Sequence, residues 1–503
     1  MKANYQSINS YGELCTVGGQ SIVECRLPSA EIGAVLLCEP RATLDQATCD
    51  NGEVRYGGKL VVSILYENVN GEFCRAERGA EFFHKAEDST IAPAHSAIGG
   101  LSVQSHKLRR EGGQLIVSCV VEAKFSIHGQ RRYTCLVGGD GLEIRKTPAT
   151  IYGAYTATAV LEEEDEFECD FAQDILMHGE KVSVTQVRSA FGEVDVRGEL
   201  CLHFCLLRSD GSLCSYERLT PIKAQVLLDS ATPDSVAAAE LFVISANVSA
   251  ATDEERGKSK IVVSYRLQAR VTVYEKEETE VARDAYATDV ETELKYEKAA
   301  TVYAMNVKTM TERVQGTPIV SGGNQGEKTL LAVVFPKASA ALQKTELGYE
   351  LQGAIEAKAL YKTEAGGVEA VDVALPFLFP TEIGEDGEEP ICADVECSVY
   401  GFSLRVRAGG ETEAEGTLKA RIQPYGKCEE EYLTEVIEGA KKAKKTCAIS
   451  VYVPSAGDDL WATAKRLSVS GEELLLANPN LKFPLKGDER IVIYRQKTEI
   501  SQK

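Results

Sequence analysis

The sequence predicts a mainly β protein, with three tandem antiparallel β-sandwich/barrel-like repeats followed by a small C-terminal βααβ module. Three observations carry that prediction: a stretch that occurs three times, a second anchor at a similar distance from each copy, and a change of hydrophobic period in the last fifty or so residues. The recurring stretch reads VRYGGKLVVSILY at 54–66, VDVRGELCLHFCL at 194–206 and YELQGAIEAKALY at 349–361. Gly58, Gly198 and Gly353 align, Tyr66, Leu206 and Tyr361 follow eight residues on, and Gly71, Gly211 and Gly366 come five further. In the third copy Ile355, Ala357, Ala359 and Tyr361 alternate with Glu356, Lys358 and Leu360, the period of a half-buried strand. The glycine that follows suits a hairpin turn. The second anchor is a closing strand with Ala123, Ala269 and Ala420, each followed by a basic residue, at 65, 71 and 67 residues from the signature glycines.

Bulk properties set the class. A chain of 503 residues exceeds one hydrophobic core, and 44% hydrophobic with 26% charged residues is a globular composition. The formal charge of −21 opposes binding to nucleic acid or an anionic membrane. No run of 18 apolar residues predicts membrane insertion, and the N-terminal stretch lacks the apolar core of a secretion signal. The 15 cysteines include no C-x-x-C pair and are read mostly as reduced, small apolar core residues.

Taken in order, residues 1–24 read as a loose leader and 25–145 as the first repeat. Residues 146–294 and 295–438 form the second and third, with joints at Val137–Gly141 and near Lys295–Lys298. The acidic run Glu162–Glu166 and the segment Gly384–Glu389 read as solvated loops. Glu429–Lys445 reads as a short helix or a linker, and 439–449 as the joint to the last module. Within each repeat the inward face of the recurring strand is core. The outward face varies between copies, and binding is sought there.

The last module spans 450–496. Ser450–Val453 is strand-like, and Asp458 can cap a helix carrying Leu460, Trp461, Ala464 and Leu467 on one face. Ser470 and Glu473 form a capping box for a second helix that ends at Asn478–Pro479, and Arg490–Tyr494 returns as a strand.

This segment resembles a LysM domain. The matching residues are Gly457, Asp458, Leu460 and Trp461, then Ala464–Arg466, Glu472–Leu475 and Asn478–Leu481. It departs where Ser468 replaces the usual glycine after the first helix, and where Pro484 and Gly487 are separated by Leu485 and Lys486. The resemblance implies a ligand groove between two loops, formed by Gly457, Asp458, Asp459 and Leu460 beside Asn478, Pro479, Asn480 and Leu481. The G-x7-Y strands (Gly58 to Tyr66, Gly353 to Tyr361) and the D-A-Y-x-T run at Asp284–Thr288 resemble the SPOCS-domain family of spore-forming Firmicutes. That resemblance implies a non-enzymatic scaffold of spore coat morphogenesis, cytoplasmic in the mother cell at the forespore surface. It would dock an ATPase-type coat morphogenetic protein through the LysM module. The alternative is a peptidoglycan-binding or GlcNAc-polymer-binding protein of the wall or spore cortex.

Catalytic motifs are missing. All six histidines lie at or before His203, and there is no G-x-S-x-G, H-E-x-x-H or zinc-ribbon spacing. GGNQGEKT at 322–329 lacks the G-K-[ST] of a P-loop and reads as a turn. Cys201, His203 and Cys205 share one strand face, with Cys214 across the hairpin. Their counterparts Val61, Ser63 and Leu65, and Glu356, Lys358 and Leu360, offer no metal pattern. Ligands two apart on a strand also stand about 6.5–7 Å apart along the backbone. The expectation is therefore no catalytic residues, no metal and no cofactor.

Overall fold

The protein, described here from a computed structural model, is defined over residues 2–170, 174–253, 258–321, 328–346, 348–364, 366–384, 388–407, 412–443 and 449–494. It is mainly β, and every strand pairing is antiparallel. The first block contains β1 (Lys2–Pro28), β2 (Ile32–Asp50), β3 (Glu53–Asn68), β4 (Phe73–Glu87), β5 (Ser96–Glu111) and β6 (Gln114–Asp140). They form two sheets, β1-β6-β5 and β2-β3-β4, whose facing sides share one apolar layer around Leu60, Val117 and Phe125. The second block contains β7 (Leu142–Asp170), β8 (Asp174–Ala190), β9 (Glu193–Leu207), β10 (Leu213–Leu227), β11 (Val236–Asp253) and β12 (Lys258–Ala287). Its sheets are β7-β12-β11 and β8-β9-β10, packed across Leu200, Phe204 and Val271.

The third block contains β13 (Val290–Ala304), β14 (Lys308–Gly316), β15 (Ile319–Ser321), β16 (Lys328–Thr345), β17 (Gly348–Thr363), β18 (Val368–Thr381), β19 (Cys392–Val406) and β20 (Thr412–Lys441). One sheet orders β13-β20-β14, with β19 also on β20, and the other orders β15-β18-β17-β16. A two-helix module closes the chain.

Several sequence expectations change. The stretch read as a leader is β1, paired with β6 from Lys2 opposite Asp140 to Pro28 opposite Gln114, so the first sheet pair spans 2–140. The others span 142–287 and 290–441. The acidic run Glu162–Glu166 lies inside β7, because β12 sets basic and hydroxyl groups against it. Arg266 meets Glu162 at 2.9 Å, Lys260 meets Glu166 at 2.7 Å, and Tyr265 donates to Glu163 at 3.0 Å. Residues 429–441, read as a helix or linker, continue β20 against β13. Of GGNQGEKT only Lys328 and Thr329 are described, and they open β16. Residues 444–448 and the last residues of the expected module also lie outside the described residues.

The recurring stretch is the central strand of one sheet in each block, β3, β9 and β17. Its turn glycines adopt the left-handed region, with φ of 82° at Gly71, 77° at Gly211 and 88° at Gly366. The same pair of backbone hydrogen bonds closes all three turns. The signature glycines answer to a different constraint. A Cβ on Gly58 would sit 2.5 Å from the Thr43 carbonyl oxygen, and one on Gly198 2.5 Å from that of Ser183. On Gly353 the Ser339 carbonyl stands closer still. Each glycine therefore admits a neighbouring strand's backbone where no side chain fits.

The outward face of these strands is where the blocks meet. Leu65, Cys205 and Leu360 each follow a signature glycine by seven residues, all are fully buried, and all three belong to one apolar cluster with Leu37, Leu176, Met177, Val334 and Phe335. A second convergence joins the long strands. Leu136, Ala282 and Leu433, each thirteen residues beyond its closing alanine, are buried together. Equivalent positions meeting twice around one line give the three sheet pairs an approximate threefold arrangement. Polar contacts fix its seams: Arg75 donates to the Ile175 carbonyl at 2.8 Å, Lys337 pairs with Glu39 at 2.7 Å, and Arg131 donates to the Ala300 carbonyl at 2.7 Å.

Between the first and second blocks, His178 lies 3.3 Å from Glu180, which also pairs with Arg41, while Arg75 and Glu77 face the ring from β4. Burial, then the neighbouring Arg41 and Arg75, pushes the imidazole from its ordinary 6.5 down to about 4, against the opposing pull of Glu77.

Two outcomes are expected. Gly353→Ala, which forces Cβ into the Ser339 carbonyl, lowers unfolding stability by about 1–3 kcal/mol in chemical denaturation. Since the unfolded chain protonates His178 at higher pH than the folded one, stability falls as pH drops from 6.5 towards about 4. Thermal melts of His178→Gln over that range are expected to show a shallower acid loss than wild type.

Candidate functional site

The C-terminal module is built from local signals. Strands β21 (Ile449–Tyr452) and β22 (Ile491–Tyr494) pair antiparallel and flank α1 (Leu460–Leu467) and α2 (Gly471–Ala477). The N-cap of α1 is Asp459, whose carboxylate accepts from the Ala462 amide at 2.6 Å. Asp458, expected in that role, instead pairs with Arg466 at 2.8 Å and accepts from the Ser455 amide at 3.0 Å. Ser470 and Glu473 form the expected capping box at α2. Ser468 ends α1 in the left-handed region at φ 56°, the geometry glycine usually supplies, and its hydroxyl accepts from Lys442 at 2.9 Å.

The module has an apolar centre of Ala464, Leu467, Leu474, Leu485, Ile491 and Ile493, and one further member comes from β12. Tyr286 is buried in this cluster, donates its hydroxyl to the Val469 carbonyl at 2.7 Å, and meets Trp461 edge-on at 5.0 Å. Two residues earlier, Asp284 accepts from Trp461 Nε1 at 2.8 Å and pairs with Lys465 at 2.6 Å. Lys442 adds a bond to the Ala287 carbonyl at 2.7 Å, and Arg145 lies 3.6 Å from Asp459. Burial pushes the Tyr286 hydroxyl well above its usual range and lowers Lys442. The D-A-Y run is thus the seat of the module, a role its sequence gives no sign of because the contacts span more than 170 residues.

The eight expected groove residues divide by role. Leu460 and Leu481 pack against the module's core. Asp458 and Asp459 are engaged as above. Asn478 is a structural clamp: its amide donates to the Leu474 and Val492 carbonyls at 2.9 and 2.7 Å, and its oxygen accepts from the Val492 amide. The backbone of the first loop bonds to Leu485, from Gly457 N–H to the Leu485 carbonyl at 2.7 Å and back to Asp458 at 2.9 Å. Gly457, Pro479 and Asn480 are exposed. Beside them α2 presents Leu475 and Leu476, the latter 83% exposed. The sequence reading missed this pair, although two leucines in succession on a short helix cannot both face one core.

On the outward face of β9, Cys201 and His203 stand close to Glu217 of β10, with one ligating atom of each lying within 4.8 Å of the others. Cys205, grouped with them in the sequence reading, is buried at the junction of the three blocks. No disulfide joins any described cysteine. Among the described residues no helix is long and apolar enough to cross a membrane. Comparison with protein-family models, with curated proteins and with solved structures returns no match.

Trp461 is the only tryptophan, so its fluorescence reports the seat directly. In Asp284→Ala its emission is expected to move to longer wavelength and its quenching by acrylamide to rise, with the far-ultraviolet β signal retained. Tyr286→Phe, which removes one buried hydrogen bond, is expected to cost about 1 kcal/mol of stability.

Proposed function

We propose that this chain is a non-enzymatic scaffold of spore envelope assembly, related to the SPOCS-domain family, whose C-terminal LysM-like module docks a coat morphogenetic protein of the ATPase type. On this reading the three sheet pairs are tandem copies of one domain and work at the forespore surface in the mother-cell cytoplasm. The single observation that carries the docking role is the exposed pair Leu475–Leu476 beside Pro479 and Asn480. An exposed apolar cluster flanking a polar loop suits a protein partner. A glycan groove would favour an open aromatic face on which to stack a sugar ring. The one tryptophan is instead engaged by Asp284 and Tyr286.

The twin seat on β12 also supports a scaffold, because it presents the module in one fixed orientation and so lowers the entropy lost on docking. The acidic balance of the chain, −21 overall, favours a partner with basic surface.

The test uses the full chain and the purified coat ATPase. Leu476→Asp is expected to weaken binding by at least about 10-fold, with Trp461 fluorescence unchanged, and Asn480→Ala to weaken it less. Undiminished binding in Leu476→Asp, or retention on purified peptidoglycan in place of the ATPase, overturns this reading.

A further inference from the structure

We infer that Cys201, His203 and Glu217 form a binding site for a divalent transition-metal cation, with Zn2+ the best match, at the seam between the second and third blocks. The register makes the cluster. His203 and Glu217 are direct cross-strand partners on β9 and β10, and Cys201 precedes His203 by two residues on the same face. The backbone spacing that argues against one ion is overcome by the side chains, which lean together until Cys201 Sγ is 3.2 Å from His203 Nε2. His203 Nδ1 lies 3.7 Å from Glu217 Oε2. Ligand atoms around a tetrahedral zinc, with bonds of about 2.0–2.3 Å, are separated by about 3.3–3.7 Å. The two contacts use opposite ring nitrogens, and one ion takes only one of them. A single ligand atom from each of the three residues nevertheless lies within 4.8 Å of the others, so a turn of the ring with movement of the thiol and carboxylate brings them towards a common centre.

The counterparts in the other blocks sharpen the contrast. Ser63 opposite Glu77, and Lys358 opposite Asp372, are complete polar pairs: the hydroxyl donates to Glu77 at 2.9 Å and the ammonium pairs with Asp372. All three blocks thus place an acid at this position, and the second block alone faces it with an imidazole and a thiol. The imidazole stands too far from Glu217 for a good hydrogen bond. Glu217 accepts instead from the Gly401 amide at 3.2 Å, and hydrogen bonds of this kind hold ligating carboxylates in place at metal centres.

Charge and burial suit a dication. The side chains of His203 and Glu217 are 12% and 27% exposed, and Cys201 is buried. Binding releases the thiol proton to solvent, so thiolate and carboxylate together neutralise the dication in a partly enclosed seam. Thiolate, imidazole and carboxylate form a borderline donor set that favours Zn2+ over Mg2+ or Ca2+. Three protein ligands leave a fourth position for water. Lys419, a cation at the same seam, is held by Glu199 at 2.8 Å.

The experiment titrates the full-length chain, stripped with chelator and desalted, with Co2+ and then Zn2+. One equivalent of Co2+ is expected to give thiolate-to-cobalt absorption in the near ultraviolet and tetrahedral bands in the visible, both displaced by one equivalent of Zn2+. Cys201→Ser is expected to abolish the thiolate band. His203→Gln and Glu217→Gln are expected to weaken Zn2+ by at least about 10-fold, the loss that even outer-shell changes produce. Cys214→Ser, on the same hairpin but outside the cluster, leaves the spectrum unchanged. Absence of a stoichiometric thiolate band in the wild-type chain overturns the site without recourse to any variant, and so does a band that survives Cys201→Ser or disappears in Cys214→Ser.

Discussion

Leu65, Cys205 and Leu360 lie on the faces of their strands that look away from each sheet pair's own core, and they bury that face against one another. A sheet covered on one side only would leave Leu65, Leu176, Phe335 and Leu360 in water. Bringing three such faces together removes that apolar surface at once, at roughly 25 cal/mol per Å². The polar seams follow from this contact. Arg75, Lys337 and Arg131 reach across to neighbouring blocks beside the buried apolar contacts. Pairs of this kind, partly exposed, select an arrangement more than they stabilise it.

The same logic bears on why the outward faces differ between blocks. A face that meets a neighbour in an approximately threefold arrangement meets a different sequence each time, and so diverges with that neighbour. The settings at one equivalent position differ accordingly: Cys201 is buried, Val61 half-buried and Glu356 exposed. The seam at Cys201 then becomes the place where a thiol, an imidazole and a carboxylate can gather, since burial between blocks brings groups together that one exposed sheet would leave in solvent.

The C-terminal module shows how a small domain gains definition from a large one. Its core of a few leucines and isoleucines is completed by Tyr286, and its tryptophan and Lys465 are tied to Asp284. Its own caps and short helices were legible in the sequence, because capping chemistry acts within three or four residues: the Ser470–Glu473 box is as read, and Ser468 holds the left-handed position that a glycine would fill with less strain. The cap of α1 is one residue later than read, because Arg466 draws Asp458 away. Of the expected groove, only Gly457, Pro479 and Asn480 are open surface, and the exposed leucines beside them went unread.

What the sequence alone determined is what alternation and local turn chemistry encode. The mainly β character, the inward positions of the recurring strand, the turn glycines at 71, 211 and 366, and the two helices with their order all follow from contacts a few residues apart. Tertiary structure decided whatever depends on partners a hundred residues or more away. A polar opening segment is a strand because β6 accepts it, and an acidic run is a strand because β12 sets Lys260 and Arg266 against it. Asp284 and Tyr286 are a docking seat because a module 180 residues later folds onto them. Alternation marks which side chains share a face, but it carries no information about what will cover that face. In this protein the cover of the second face sets the architecture.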